Sequence, residues 1–122
     1  MIENQDRTAA STICQLELET LIRAIAHVSR RNILLWLKEP LTNFPNQQYG
    51  QNLGICMSEI TRRCALSQST VSRHLAQLKE AGLLDMKQVG TFRFFKRNEK
   101  SIRRFQSMLA EHLGIPWYLK RS

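Results

Sequence analysis

Leu66–Leu83 reads LSQSTVSRHLAQLKEAGL, and the division of its residues between two faces decides how the chain is organised. Ser67 is of the type that caps a helix N-terminus, and Gln68–Ala81 continues with helical spacing. Gly82 suits the left-handed position that ends such a helix. Val71, Leu75 and Leu78 fall on one face, and Leu66 is expected to join them in the core. The first two turns otherwise carry Gln68, Ser69, Thr70, Ser72 and Arg73, which are hydrogen-bonding and mostly short. A DNA major groove about 12 Å wide admits a helix only if nothing bulky holds it off. Arg is suited to guanine there and Gln to adenine.

The flanking residues extend this reading. Upstream, Ser58 opens a short helix with Ile60 and Cys64 inward and Arg62 and Arg63 outward. A three-residue turn, Ala65–Ser67, joins it to the next helix, as a helix-turn-helix requires. Arg62 and Arg63 are placed to touch phosphate, which sets register without reading sequence, and Thr70 is assigned to backbone contact with them. Downstream, Leu83–Gln88 and Thr91–Arg97 (TFRFFKR) flank a Val89-Gly90 turn and read as a two-stranded hairpin. Lys87, Gln88, Thr91 and Arg93 lie at or near its tip and suit backbone or minor-groove contact. The spacing therefore predicts a winged helix-turn-helix, mainly α with a small β-hairpin (α+β).

The remainder fits around that unit. Leu18, Leu21, Ile22 and Ile25 give a helix over Gln15–His27. Ser29 is positioned to cap a second, Arg30–Leu37, which Pro40 ends. Leu41–Gly54 has no periodicity and reads as a long loop that would shape a small-molecule pocket, and Ile55–Met57 as a short strand. Asn98 caps a last helix reaching Leu113, stopped by Gly114 and Pro116. The expected division is a mobile arm over 1–14, a DNA-binding and dimerisation domain over 15–114, and a tail over 115–122.

Composition narrows the function classes. A chain of 122 residues with 43% apolar content fits one domain with a proper core. The longest unbroken apolar run, Ile33–Leu37, is far short of the roughly 20 residues that cross a bilayer. The N-terminus does not read as a secretory leader, and three irregularly spaced cysteines suit a reducing compartment, so a cytoplasmic location without membrane contact is expected. The net charge is +8. Residues 1–61 hold five Lys/Arg against six Asp/Glu, whereas residues 62–122 hold thirteen against four. A basic half joined to a neutral one suggests a polyanion-binding surface. No Ser/His/Asp set, paired carboxylates or phosphate-binding glycine loop is present, so no catalytic residue and no required cofactor is assigned.

AHVSRRNIL, then MSEITRRCALSQSTVSRHLAQLKEAGLL, then MKQVGTFRFFKR together resemble the ArsR/SmtB family of bacterial winged-helix repressors. The likeness spans about Leu18 to Leu113, with Val28 where the family usually has proline. It implies a homodimer, paired through Gln15–His27 and Asn98–Leu113, that binds a palindromic double-stranded operator and leaves it when an effector binds. Carried over by position, Gln68, Ser69, Ser72 and Arg73 would contact bases. Many members hold a thiophilic metal ion through a Cys-x-Cys pair, and here Cys56-Met57-Ser58 keeps only the first thiol. Cys56 with Cys14 forms a candidate two-thiolate or redox sensor, although such ions favour three or four soft ligands. The other family metal site lacks its Asp-x-His partner to Glu111 and His112. His27 and His74 read as structural or phosphate-facing, and the effector stays unidentified. A winged-helix protein-interaction module and a non-specific nucleic-acid binder are the alternative readings.

Overall fold

In a computed structural model, which describes residues 15–115, helix α1 covers residues 15–25. After it come α2 (Val28–Lys38), α3 (Pro40–Asn43), β1 (Ile55–Cys56), α4 (Met57–Cys64), α5 (Gln68–Glu80), β2 (Leu84–Val89), β3 (Phe92–Arg97) and α6 (Glu99–His112). The expected arm at 1–14, including Cys14, lies outside the described residues, as does the tail after Ile115. Leu18 and Leu21 of α1, Ile33 and Leu37 of α2, Ile60 of α4, Val71, Leu75 and Leu78 of α5, Phe95 of β3 and Phe105 of α6 share one buried core. Burying each such large side chain contributes about 1.5–3 kcal/mol. The periodicity that predicted these helices is the periodicity of this core.

Helix starts follow local chemistry, and two differ from expectation. The start of α2 is Val28 rather than Arg30: His27 is the N-cap, its ring Nδ1 accepting the N–H of Ser29 at 3.0 Å. A histidine acceptor does here what Ser29 was expected to do. Met57, not Ser58, opens α4, with the extended Cys56 before it and no side-chain cap. Ser67 and Asn98 are caps as expected, accepting from the N–H groups of Thr70 and Ser101. Between α4 and α5, Ala65 takes the left-handed conformation at φ 55°, and Leu66 stays 40% exposed. The expectation that Leu66 joins the core is therefore wrong. It belongs to the turn, outside the helical face carrying Val71 and Leu75.

The hairpin acquires a third strand. Its order is β1-β3-β2, all antiparallel, with Ile55 opposite Phe95 and Cys56 opposite Phe94. The connecting residues are Gly90-Thr91 rather than Val89-Gly90, since Val89 pairs with Phe92. A β-branched Val resists the positive φ that Gly90 adopts at 60°, and glycine at the first position of a two-residue turn is the type II′ arrangement.

The segment 41–54 is partly ordered by its own residues. Pro40 ends α2 but also begins the single turn α3. Gln47 is buried; its amide donates to the carbonyls of Tyr49 and Gly54 and accepts the N–H of Cys56 at 2.8 Å. This segment covers the second face of the sheet, which explains why both Phe94 (3% exposed) and Phe95 (4%) are buried although their side chains point opposite ways. Arg63 fastens α3 to α4: its guanidinium donates to the Asn43 carbonyl at 3.1 Å and lies 4.7 Å from the Trp36 ring centroid.

Two expected outcomes test this packing. Gly54 has φ 124°, and a Cβ there would stand 2.4 Å from the Phe95 carbonyl oxygen, so Gly54→Ala should cost more than about 2 kcal/mol in urea unfolding. Arg63→Ala should cost about 1–2 kcal/mol through the lost stacking and hydrogen bonds; an unchanged midpoint would show that this tie contributes nothing.

Candidate nucleic-acid interface

The polar face of α5 is set by its buried one. With Val71, Leu75 and Leu78 inward, the 100° turn per residue brings Gln68, Ser69 and Arg73 to the exposed surface and Ser72 to its edge. The hydroxyls at the helix start serve one another: Ser67 Oγ accepts the Thr70 N–H at 3.2 Å and lies 2.8 Å from Thr70 Oγ1 and 3.3 Å from Ser69 Oγ. Thr70 is half-buried and tied to this cap. The ends of Gln68, Ser72 and Arg73 carry the reach.

Gln68 and Ser72 face the hairpin across a groove of about 920 Å³, walled by the Ser67 cap and by Gln68, Ser69 and Ser72 of α5 on one side and by Thr91, Phe92 and Arg93 of the wing on the other, while Arg73 points to solvent outside it. Period-two alternation divides the wing. Gln88 and Arg93 are cross-strand partners on the face that also carries Met86 and Phe95, while Lys87 pairs with Phe94 on the other. Arg93 therefore stands over the groove. Lys87 does not share its face. Gln88 is exposed but donates to the Gly90 carbonyl at 3.2 Å, closing its own turn.

Two arginines expected on phosphate differ in freedom. Arg62 is 70% exposed and paired at 2.8 Å with Glu59, whose side chain is 13% exposed, so its guanidinium reaches solvent from one side of the pair. Arg63 is exposed but held by Asn43, Trp36 and Phe44, so its guanidinium has partners within the protein that Arg62 lacks. Lys79, which sequence reading passed over, lines a smaller cavity with Ser72, Ala76 and Arg93. Its spacing from Ser72 and Ala76, seven and three residues, was the available signal.

The sensor candidates are less assembled. Cys56 is buried, with its sulfur 3.3 Å from Ser58 Oγ, so the first thiol and the serine two residues on do converge. Cys64 is half-buried, and burial pushes its thiol pKa up, keeping it protonated at neutral pH. Among the described residues no three His, Cys, Asp or Glu side chains are grouped to hold a metal ion. Glu111 and His112 are exposed at the end of α6. Tyr49 and Phe92, edge to face at 5.7 Å, border a second cavity of about 400 Å³ beside Gln47 and Gln48.

His74 was placed among structural or phosphate-facing groups; it is structural, 6% exposed, with Nδ1 3.1 Å from Arg30 Nη1. Arg30 itself is buried and was not singled out by the sequence.

Comparison with known proteins gives this geometry a context. A family model described as "Bacterial regulatory protein, arsR family" matches residues 55–85, from β1 to the first residues of β2. An HTH-type transcriptional regulator of Bacillus subtilis, YbzH, is 36% identical over 91 residues, covering 73% of this chain and 91% of that protein. An arsenic resistance transcriptional regulator of Pseudomonas putida is 43% identical over 42 residues, about a third of each chain. The fold is shared with an ArsR-like transcriptional regulator from Rhodococcus, with TM-score 0.58 over 87% of both chains at 19% identity. No helix among the described residues is long and apolar enough to cross a membrane. The chain belongs to the ArsR family of DNA-binding transcriptional regulators, which are not enzymes.

Proposed function

We propose that the protein is a homodimeric repressor that holds a palindromic operator through two copies of α5 and releases it when an effector binds. Gln68, Ser69, Ser72 and Arg73 read base edges; Arg62, Lys79, Lys87, Thr91 and Arg93 hold the backbone. The observation that carries this reading is the division of α5, whose inner face is core while its first two turns offer short polar groups beside Arg93. Dimerisation is supported by Leu16 of α1, at 64% exposure, and Leu113 after α6, at 63%. Such apolar residues on the two end helices suit burial against a second copy. In that dimer the two α5 helices enter major grooves about 34–36 Å apart, so half-sites one helical turn apart are expected.

Selection of bound duplexes from a random library, followed by titration at several salt concentrations, tests the reading. A palindromic motif is expected. With about four or five cations per protomer near the groove, about eight to ten per dimer, log K should fall against log salt with a slope of roughly −7 to −9. A selection returning no motif would favour the non-specific binder, and binding indifferent to salt would contradict the phosphate contacts altogether.

The side-chain roles separate by mutation. Arg73→Ala should cost about 1–3 kcal/mol at particular base pairs and relax preference there. Arg62→Ala should weaken all duplexes by a similar factor and lower the dimer's salt slope by about two, one for each protomer. Equal loss of discrimination in both variants would refute the assignment.

A further inference from the structure

Arg30 joins three elements. Its Nε donates to the Ala24 carbonyl at 2.6 Å, which the end of α1 leaves without a helical partner, and its Nη2 to the Arg23 carbonyl at 3.1 Å, which also accepts the Ala26 N–H. Its remaining contact, from Nη1, is to His74 Nδ1 at 3.1 Å, in the buried interior between α2 and α5. A guanidinium has donors only, so Nδ1 must be the acceptor. His74 is thereby fixed as a neutral imidazole whose proton sits on Nε2. The His27 ring lies 4.5 Å away, tilted at 45°, and spends its own Nδ1 on capping α2.

We propose that His74 is a positioning residue for DNA recognition: as a neutral acceptor for Arg30 it ties α5 to the end of α1, and protonating its ring breaks the tie and weakens specific binding. This rests on the reading of α5 as the base-contacting helix. His74 directly follows Arg73 in the chain, so a shift of α5 at this point moves the side chain that reaches furthest from it. A protonated His74 would present an N–H to a guanidinium donor, two positive groups at hydrogen-bond distance with no acceptor between them.

The charged surroundings set the sign. His27 and Arg30 act on His74 from α2 and its cap, and Arg73 acts from its own helix; all are basic. Burial is the largest cause, and these charges add to it, holding the His74 pKa below the usual 6.5. A depressed pKa in the folded chain means that the neutral ring's contribution is complete above the ordinary histidine value. It is lost as pH falls through the lower, folded value. Acidification also adds positive charge to the protein, which strengthens non-specific attraction to phosphate. The two effects have opposite signs and can be told apart.

The experiment uses the full chain at constant ionic strength, with the duplex recovered by selection and a scrambled duplex of the same length. From about pH 7.5 to about pH 5, affinity for the selected duplex is expected to fall about tenfold or more while scrambled binding holds or rises. His74→Asn places a non-titrating acceptor near the Nδ1 position and is expected to flatten the acid loss. Equal acid loss in wild type and His74→Asn would overturn the proposal. The chain has three histidines, so ¹⁵N imidazole spectra of the wild type resolve the tautomer without DNA. A His74 ring protonated on Nδ1 at neutral pH would also overturn the proposal. If selection returns no motif, the operator reading fails, and the proposed role in recognition fails with it. The tie itself is then still judged by the spectra and by the melting temperature, which should drop more on acidification in wild type than in His74→Asn.

Discussion

The seating of α5 in the core constrains every other functional feature of the molecule. Val71, Leu75 and Leu78 are each at most 1% exposed, and at about 1.5–3 kcal/mol per side chain no rotation that exposes them is affordable. Rotating the helix by one residue, about 100°, would carry Arg73 or Ser72 toward Ile33 and Ile60, where an unpaired charge or hydroxyl has no partner. The outward direction of Gln68, Ser69 and Arg73 is therefore a consequence of packing. The helix is also fixed along its length, by the left-handed Ala65 and the Ser67 cap at one end and by Gly82 at the other. Arg30 fixes it laterally through His74. The exposed polar face of α5 owes its rigidity to residues outside that face.

The wing is positioned by a different device. β3 is the central strand and is covered on both faces, by the helical core over Phe95 and by the segment 41–54 over Phe94. That segment places Phe44 in the core at 5% exposure and is otherwise held by the amide of Gln47 and by Arg63, which reaches Asn43 from α4. The first helix of the helix-turn-helix and the covering segment are thus mechanically joined. Whatever moves the segment also moves the strand that carries Arg93 over the groove. The aromatic pair Tyr49 and Phe92 lies at this junction.

What could be read from the sequence follows the range of the interactions involved. Helix faces and the caps at Ser67 and Asn98 depend on neighbours within a few residues, and they appear in the string. The exposed face of α5 was legible because it is the complement of a periodic apolar pattern. Leu66 was misassigned because apolar character alone does not distinguish a core residue from one carried outward by a left-handed turn. The α2 cap was misplaced because a histidine acceptor ranks below serine in general preference, and only its ring geometry reveals the bond. The partners of Arg63 are twenty residues away and those of Arg30 reach 44 residues along the chain. No local pattern distinguishes such an arginine from one directed at phosphate.

That last difference changes how the basic half should be understood. Thirteen Lys/Arg against four Asp/Glu in residues 62–122 suggest a broad cationic surface, but several of those charges are used within the protein. Arg63 is held by Asn43 and the Trp36 ring; Arg97 donates to the Leu34 carbonyl and pairs with Glu99 at 2.7 Å; Arg104 pairs with Glu17 across α1 and α6. Near the groove this leaves Arg73, Lys79, Arg93 and the exposed Arg62, with Lys87 on the opposite wing face. In the proposed operator complex, phosphate attraction thus comes from a small set around the polar start of α5 instead of from the whole half. A compact set limits the non-specific attraction that competes with base reading. In the proposed operator complex the short groups Ser69 and Ser72 are left to decide between sequences because the charges around them are few.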